Sequence, residues 1–559
     1  MVSWLALLSV TAGADPALDA AREAERIQRE QRLRIEQEQR ELRDRQPHTV
    51  IEVAPPTAPP AARDGEQHCR EVQTVLLDGV TLLGQRERER IIAPYAGNCL
   101  SVIDIEQLLS DLTRAYIEHG YISARAYIPA QDLTTGLLRV LVVEGQLEGV
   151  RLEDDGQRSV NLATAFPHRV GKPLNLRDFE QGLDQLNRLG SNQATLDVLP
   201  GAEAGGSEVV IRNQPTRRWR GGVSYDNYGS SSTGRQQAGA NISLDNPLGL
   251  NDGLNLSYRR TVNSDFDARH SQSWSLFYAV PLGYFTFTAA YSKSDYATTL
   301  SLPGGDLLAD GDQDNLSLTT DWLVYRDATQ RITFSGTLTQ KESRNYLAGQ
   351  LLDVSSRKLT TLDIGASYSG ALAGGNLSAR AGHGRGLTWF GALQDEAGRP
   401  SVLPQAQFSN WRATLSWGRG FSLFSRTFLF SSMAEAQLSD DVLYGSEQFS
   451  IGSLYNVRGY RDSSLSGDEG YYWRNELSLL HSQVLFGQRL NLRPFIGFDT
   501  GEILTHRQMP GGHLSSVSIG INAYSQWLSL ELVGSKPLSV PDRLEDEGFQ
   551  GFAKISLML

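Results

Sequence analysis

The feature that most constrains this chain is a change of period. From Thr216 to Leu559 apolar residues recur at every second position instead of every third or fourth. Leu254, Leu256 and Tyr258 alternate with polar neighbours, as do Phe285, Phe287, Ala289 and Tyr291, and Ile332, Phe334, Gly336 and Leu338. Successive side chains of a strand point to opposite faces, so each segment has one apolar and one polar face. About sixteen such segments can be counted, the first over 218–227 and the last over 550–559, where Ile555, Leu557 and Leu559 alternate strictly. The connections alternate too. Asn246–Asp252, Pro281–Gly283, Arg326–Gln330, Leu372–Gly375, Gly420–Phe424, Leu485–Gln488 and Tyr524–Ser525 are short, whereas those before and after each are longer and richer in Gly, Ser and Asp.

Short turns on one side and long loops on the other are the pattern of an outer-membrane barrel, with the short side periplasmic. A soluble sandwich or propeller gives no such alternation. Composition agrees. Although 40% of residues are hydrophobic, no apolar run after the N-terminus approaches the ~18 residues of a spanning helix. A closed barrel is the remaining way across a bilayer, because lipid leaves no backbone group unpaired. The net charge of -12 argues against a nucleic-acid partner, which needs a basic face.

The N-terminal part divides into four pieces. Residues 1–14 have the apolar stretch Trp4-Leu5-Ala6-Leu7-Leu8 and the small residues Ala12-Gly13-Ala14 of a signal peptide, though no Lys or Arg precedes them. Residues 15–45 are rich in Arg, Glu, Gln and Ala, with acid–base pairs such as Glu25/Arg29, Glu30/Arg34 and Glu36/Arg40 at helical spacing. A helix polar nearly all round is either solvated or placed in a wet channel. At ~1.5 Å per residue it is long enough to thread a barrel. Residues 46–67 are a linker, since Pro47, Pro55, Pro56, Pro59 and Pro60 favour an extended spacer.

Residues 68–145 and 146–214 then repeat one order of elements, β-α-α-β-β, at a period of about seventy residues. In the first, strands are predicted over Val72–Leu77, Ser123–Ile128 and Gly136–Val143, with helices over Gln85–Ala93 and Ile105–His119. The second has strands over Leu147–Leu152, Ala194–Leu199 and Glu208–Arg212, a short helix at Ser159–Ala165 and a longer one over Leu176–Leu189. Neither copy shows catalytic geometry, so the pair reads as a docking module. Cys69 and Cys99 are the two cysteines; in an exported chain they read as one disulfide, the alternative being two buried thiols.

Two short motifs suggest a functional contact. Val457-Arg458-Gly459-Tyr460 lies in a long loop, about Asp440 to Gly470, that follows the eleventh segment. That loop is too rich in Arg, Tyr and Leu for a solvated tip. If it folds inward, Arg458 needs a carboxylate. Alternation on the thirteenth segment places Leu492, Ile496 and Phe498 toward lipid and Asn491, Arg493, Phe495, Gly497 and Asp499 inside. Asp499 is then flanked on its own face by Gly497 and Gly501, which leave room for a close approach. A bidentate arginine–carboxylate pair is the expected contact; other lumen partners for each remain an alternative.

On these residues the sequence resembles the outer-membrane transporters of two-partner secretion, the group that includes FhaC and ShlB, within the BamA-related superfamily. Val457, Arg458, Gly459 and Tyr460 match the family's sixth-loop signature. Gly497-Phe498-Asp499-Thr500-Gly501 matches its barrel-wall motif, and Tyr121 to Gln131 its first periplasmic domain. The resemblance implies a mainly β chain: a helix, a linker, two POTRA domains and a sixteen-stranded transmembrane β-barrel at residues 215–559. It implies a pore in a Gram-negative outer membrane that takes a large unfolded exoprotein from the periplasm through the POTRA domains, with the helix as a plug that must leave. The client is expected to be a haemolysin- or haemagglutinin-like protein or a contact-dependent toxin. No cofactor, nucleotide, metal or catalytic residue is expected. There is no Walker-type loop, no metal-spaced histidine cluster and no nucleophile-elbow serine. The competing readings are a BamA- or TamA-like insertase, and a passive porin or adhesin, which has no need of the tandem module.

Overall fold

The computed structural model describes residues 16–44, 49–51, 69–154, 159–167, 170–203, 205–302, 305–485, 487–506 and 510–559. The expected signal peptide and the prolines of the linker lie outside them. Sixteen long antiparallel strands close into a barrel, from Trp219–Asp226 to Gln550–Met558. The closing seam pairs the last strand with the first, from Lys554↔Asp226 to Met558↔Gly222. A two-residue strand, Gln350–Leu351, folds back on the seventh.

Each strand puts one side outward. Leu256, Tyr258, Phe285, Phe287 and Phe334 are exposed on the outer face, while intervening polar residues such as Thr286, Thr288 and Ser292 are buried inside. Closure leaves no free sheet edge, so the outward apolar belt can meet lipid without a row of unpaired backbone groups.

Three differences from the sequence reading bear on the architecture. The connection expected to be long between the fifth and sixth strands is mostly strand: Phe285–Leu302 and Gly305–Arg326 pair continuously to Leu302↔Gly305. Its inner face is not bare, since Ala309 and Leu300 pack with Ala20 of the N-terminal helix, and this supports a hairpin beyond the lipid belt. The turn predicted at Gly420–Phe424 is tighter. The strands run to Leu423 and from Arg426, with Phe424 and Ser425 both at positive φ, as a two-residue hairpin loop requires. In the first α/β unit an extra short strand, Asn98–Leu100, pairs with Arg70–Val72. The helix after it starts at Val102, before the predicted Ile105, because Ser101 and Asp104 form a capping box.

The two α/β units have the same sheet. In the first, Leu137–Val143 is central, parallel to Thr74–Asp78 and antiparallel to Arg125–Tyr127. In the second, Gly206–Asn213 is central, parallel to Gln146–Glu153 and antiparallel to Ala194–Pro200. A helix packs on each sheet through Leu108, Leu112 and Tyr116, or Phe179, Leu183 and Leu186. Cys69 and Cys99 are disulfide-bonded, with Cα atoms 5.3 Å apart, beside the extra strand pair. The second unit docks on the short-turn side: Gln181 and Gln185 donate to the carbonyl of Gly283, and Asn161 Nδ2 donates to the carbonyl of Gly249.

The N-terminal helix, Pro16–Asp44, runs through the barrel. Its first turns pack at the far end against Ala309, Leu352 and Tyr296, and its last turns reach Glu435 of the eleventh strand, Arg426–Ser439. Its 29 residues span about 43 Å, enough to cross the lumen.

Candidate functional site

The loop between the eleventh strand, Arg426–Ser439, and the twelfth, Gly470–Leu485, folds into the barrel. It carries its own small hairpin, Phe449–Ile451 with Leu465–Gly467. Phe449, Ile451, Val457, Tyr460 and Leu465 form a buried cluster with Tyr472, Ile503 and Leu514 of the wall. Burial of that apolar set supplies the non-directional part of the loop's adhesion, at about 25 cal/mol per Å² of area removed from water.

Direction comes from Arg458. Its Nε donates to Asp499 Oδ2 at 2.6 Å and its Nη2 to Asp499 Oδ1 at 2.9 Å, a bidentate pair. Both side chains are fully buried, at 0% exposure. The backbone N–H of Arg458 also donates to Asp499 Oδ2. Nη1 reaches Glu476 Oε2 at 3.3 Å, and the guanidinium carbon lies 5.5 Å from the Phe495 ring centroid. Glu476 is bound in turn by Arg493.

The glycines explain the fit. A Cβ on Gly497 would lie 2.2 Å from Arg458 Nη2, so any side chain there collides with the guanidinium. A Cβ on Gly501 would meet Val457 and Tyr472 at about 3 Å. Gly459 has φ +98°, a left-handed conformation that lets the chain turn beside Pro537. Tyr460 then donates to the carbonyls of Ser515 and Ser539 at 2.9 and 2.6 Å, on neighbouring strands. Phe498 stands apart: it points outward, 45% exposed, and takes no part in the contact.

Several anchors were not anticipated. Glu547, in the last outer loop, accepts the backbone N–H groups of Arg461, Asp462 and Ser463. Arg461 donates to the carbonyls of Asn227, Gly229 and Gly551, and its guanidinium lies 4.4 Å from the Phe552 ring. The loop tip therefore clamps the outer ends of the first and last strands. Asp468, buried, holds the loop's base through the Leu443 N–H and His506. These are ordinary acids and arginines far apart in sequence, and no spacing marks them.

The same loop faces the helix. Arg34 Nε donates to the Tyr455 hydroxyl, Arg29 to the Gly445 carbonyl and Arg32 to the Gln448 carbonyl. Around the rest of its circumference the helix meets the wall. Gln28 donates to Asn345, Gln31 to Ser271, Arg34 to Gln237 and Arg40 to Glu435, while Arg357 donates to Glu25. Beside it, toward the short turns, a cavity of about 1050 Å³ is lined by Arg34, Glu38, Arg259, Ser369, Ser416 and Arg474 among others. Among the described residues, no group of three or more His, Cys, Asp or Glu could hold a metal ion.

Comparison with known proteins agrees with this architecture. Residues 205–523 match the family model of the haemolysin secretion/activation protein ShlB/FhaC/HecB. Residues 71–145 match the ShlB-type POTRA domain and 146–200 a further POTRA domain. The outer membrane transporter CdiB of Dickeya dadantii is 33% identical over 552 residues, covering 98% of this chain and 96% of its own. The haemolysin transporter protein HpmB of Proteus mirabilis is 34% identical over 478 residues, covering 84% and 82%. The solved structure of CdiB from Escherichia coli superposes with a TM-score of 0.85 at 31% identity, covering 98% of this chain and all of that one. The chain belongs to the haemolysin secretion/activation family of ShlB, FhaC and HecB, outer-membrane transporters of two-partner secretion whose POTRA domains lie in the periplasm.

Proposed function

We propose that this chain takes a large unfolded exoprotein at its two POTRA domains and passes it outward through the barrel lumen after the N-terminal helix has left. The observation that carries the proposal is the lumen itself, which is lined with polar side chains and already threaded by a helix held through hydrogen bonds and ion pairs, with apolar packing confined to its first turns. Such bonds exchange for water at a net ~0.5–3 kcal/mol each, the upper end where an arginine or a carboxylate takes part, so a helix held this way can be replaced by a chain that offers equivalent partners. Arg458 and Asp499 serve as the lock that keeps the infolded loop against the wall while the lumen empties and fills. The chain does no covalent chemistry, and the client is held as an extended strand at a POTRA sheet edge. In this division residues 15–45 plug the pore, 46–67 tether the plug, 68–145 and 146–214 receive the client, and 215–559 conduct it.

The test is reconstitution. The chain is expressed with a candidate large exoprotein from the same genome, and the exoprotein outside the cell is measured. Deleting residues 16–44 should leave barrel assembly intact and raise the ion conductance of the chain in planar bilayers. Unchanged conductance would reject the plug. Absence of exoprotein outside the cell with the intact transporter would reject the transport reading.

A further inference from the structure

Three residues of the tether sit in a built site. Thr49, Val50 and Ile51 run past the helix Leu176–Asn187 of the second POTRA domain, where the sixth barrel strand ends in Arg326. The Thr49 N–H donates to Asp184 Oδ1 at 2.7 Å and the Ile51 N–H to Glu180 Oε1 at 3.0 Å. Arg326 Nη2 donates to the Thr49 carbonyl at 2.6 Å. Ile51 packs against the apolar core of the domain, and Val50 between them is exposed.

The receiving groups are preorganised. Glu180 and Asp184 lie one helical turn apart, and their side chains are 0% and 7% exposed; Arg326 is 1% exposed. Arg326 is fixed by Asp184 at 2.5 Å and by Gln181 at 3.2 Å, and Arg177 holds both oxygens of Glu180 at 2.7 Å. What they read is backbone. Residues i and i+2 of an extended chain present their N–H and C=O groups to the same side. The site accepts the two N–H groups, donates to the first carbonyl and takes one apolar side chain at i+2. All three hydrogen bonds are made by tether backbone, and the Ile51 side chain adds only apolar packing. Recognition of this kind suits any extended segment without proline at the two donor positions.

Reach makes the site matter. Five residue steps separate Asp44, the helix end, from Thr49, a span of at most ~18 Å. The helix needs about 43 Å of travel to clear the lumen. Even swung from one extreme to the other, ~36 Å, the helix falls short while Thr49 is pinned.

We infer that this groove is a binding site for extended, non-prolyl polypeptide with an apolar third residue, occupied in cis by Thr49–Ile51. An unfolded client segment exchanges for the tether there, and the exchange frees the helix to leave. The identity of the competitor rests on the transport reading; the groove and its occupant do not.

The test uses the full chain in detergent with Ala24→Cys as reporter, since Ala24 is buried against Tyr296 and the native cysteines are disulfide-bonded. Ile51→Pro removes one donor and the apolar anchor. It should speed labelling of the reporter by a soluble maleimide about tenfold or more, the factor matching loss of one hydrogen bond to a buried charge. A fluorescent peptide spanning residues 46–54 should bind the Ile51→Pro chain, and the same peptide with Ile51→Pro should not. At saturation the first peptide should also speed labelling when the tether is native. Equal labelling with and without Ile51→Pro, or equal binding of the two peptides, overturns the inference. Either result leaves transport standing, because no arm depends on secretion. Failed secretion by the intact chain, conversely, leaves these arms unaffected.

Discussion

Replacing Arg458 by alanine isolates the lock. The substitution leaves Asp499, fully buried, facing the arginine's empty space with the backbone N–H of residue 458 as its nearest remaining donor. Removing one partner of a buried ion pair costs about 3–5 kcal/mol, since the other charge stays desolvated. The barrel's ladders do not use Arg458, so the cost falls on the loop. The remaining anchors are Tyr460 on two carbonyls and Glu547 under three N–H groups. These bonds are already made in the native chain, so they do not offset the loss. Hydrogen exchange of peptides covering 452–463 should therefore accelerate at least about a hundredfold, that being the factor for roughly 3 kcal/mol. Strand peptides should keep their protection, and the barrel should still resist unfolding in detergent. The double variant Arg458→Ala/Asp499→Ala should be less destabilised than the sum of the two single variants, by about 2 kcal/mol or more, because it no longer strands a charge. Additivity within ~0.5 kcal/mol, or less than a threefold change in exchange, would refute the lock. Normal secretion by Arg458→Ala would separate the lock from transport.

Further outcomes follow from the same geometry. Gly497→Ala puts a methyl 2.2 Å from Arg458 Nη2 and should loosen the loop by ~1–3 kcal/mol in the same exchange assay. Gly336→Ala, with nothing within 4 Å of its Cβ, should have no effect. Reducing or replacing the Cys69–Cys99 bridge, which closes a separation of 30 residues, should destabilise the first POTRA domain by about 3–4 kcal/mol, read as a lower unfolding midpoint for that domain. Glu144 in the same domain accepts the Thr81 and Leu82 N–H groups and the Tyr116 hydroxyl. Burial alone raises its pKa, but these hydrogen bonds outweigh burial and bring it below the ordinary 4.5. Its contribution is thus complete above about 4.5 and is lost as pH falls through the lower folded value. The domain's unfolding midpoint should drop in that acid window, and Glu144→Gln should flatten the drop.

Much of the architecture is written locally in the sequence. Strand alternation is a period-two signal, so the sixteen barrel segments and the outward placement of Ile496 and Phe498 can be read from neighbouring residues alone. The repeat of the α/β unit is equally local, since each helix carries its apolar face and its stop. Arg458 and Asp499 were legible because an infolded arginine needs a carboxylate, and only certain positions of the facing strand point inward. What tertiary structure decided is whatever depends on contact between distant polar residues. Glu547 under the loop tip, Arg461 across the seam and Glu476 beside Arg458 carry no periodic mark. The polar helix could equally have been solvated, and only the ring of hydrogen-bonding side chains around the lumen decided where it lies. Thr49–Ile51 looked like linker for the same reason. A groove that reads backbone leaves almost no trace in the side chains it binds, so a sequence records the occupant without recording that it is held.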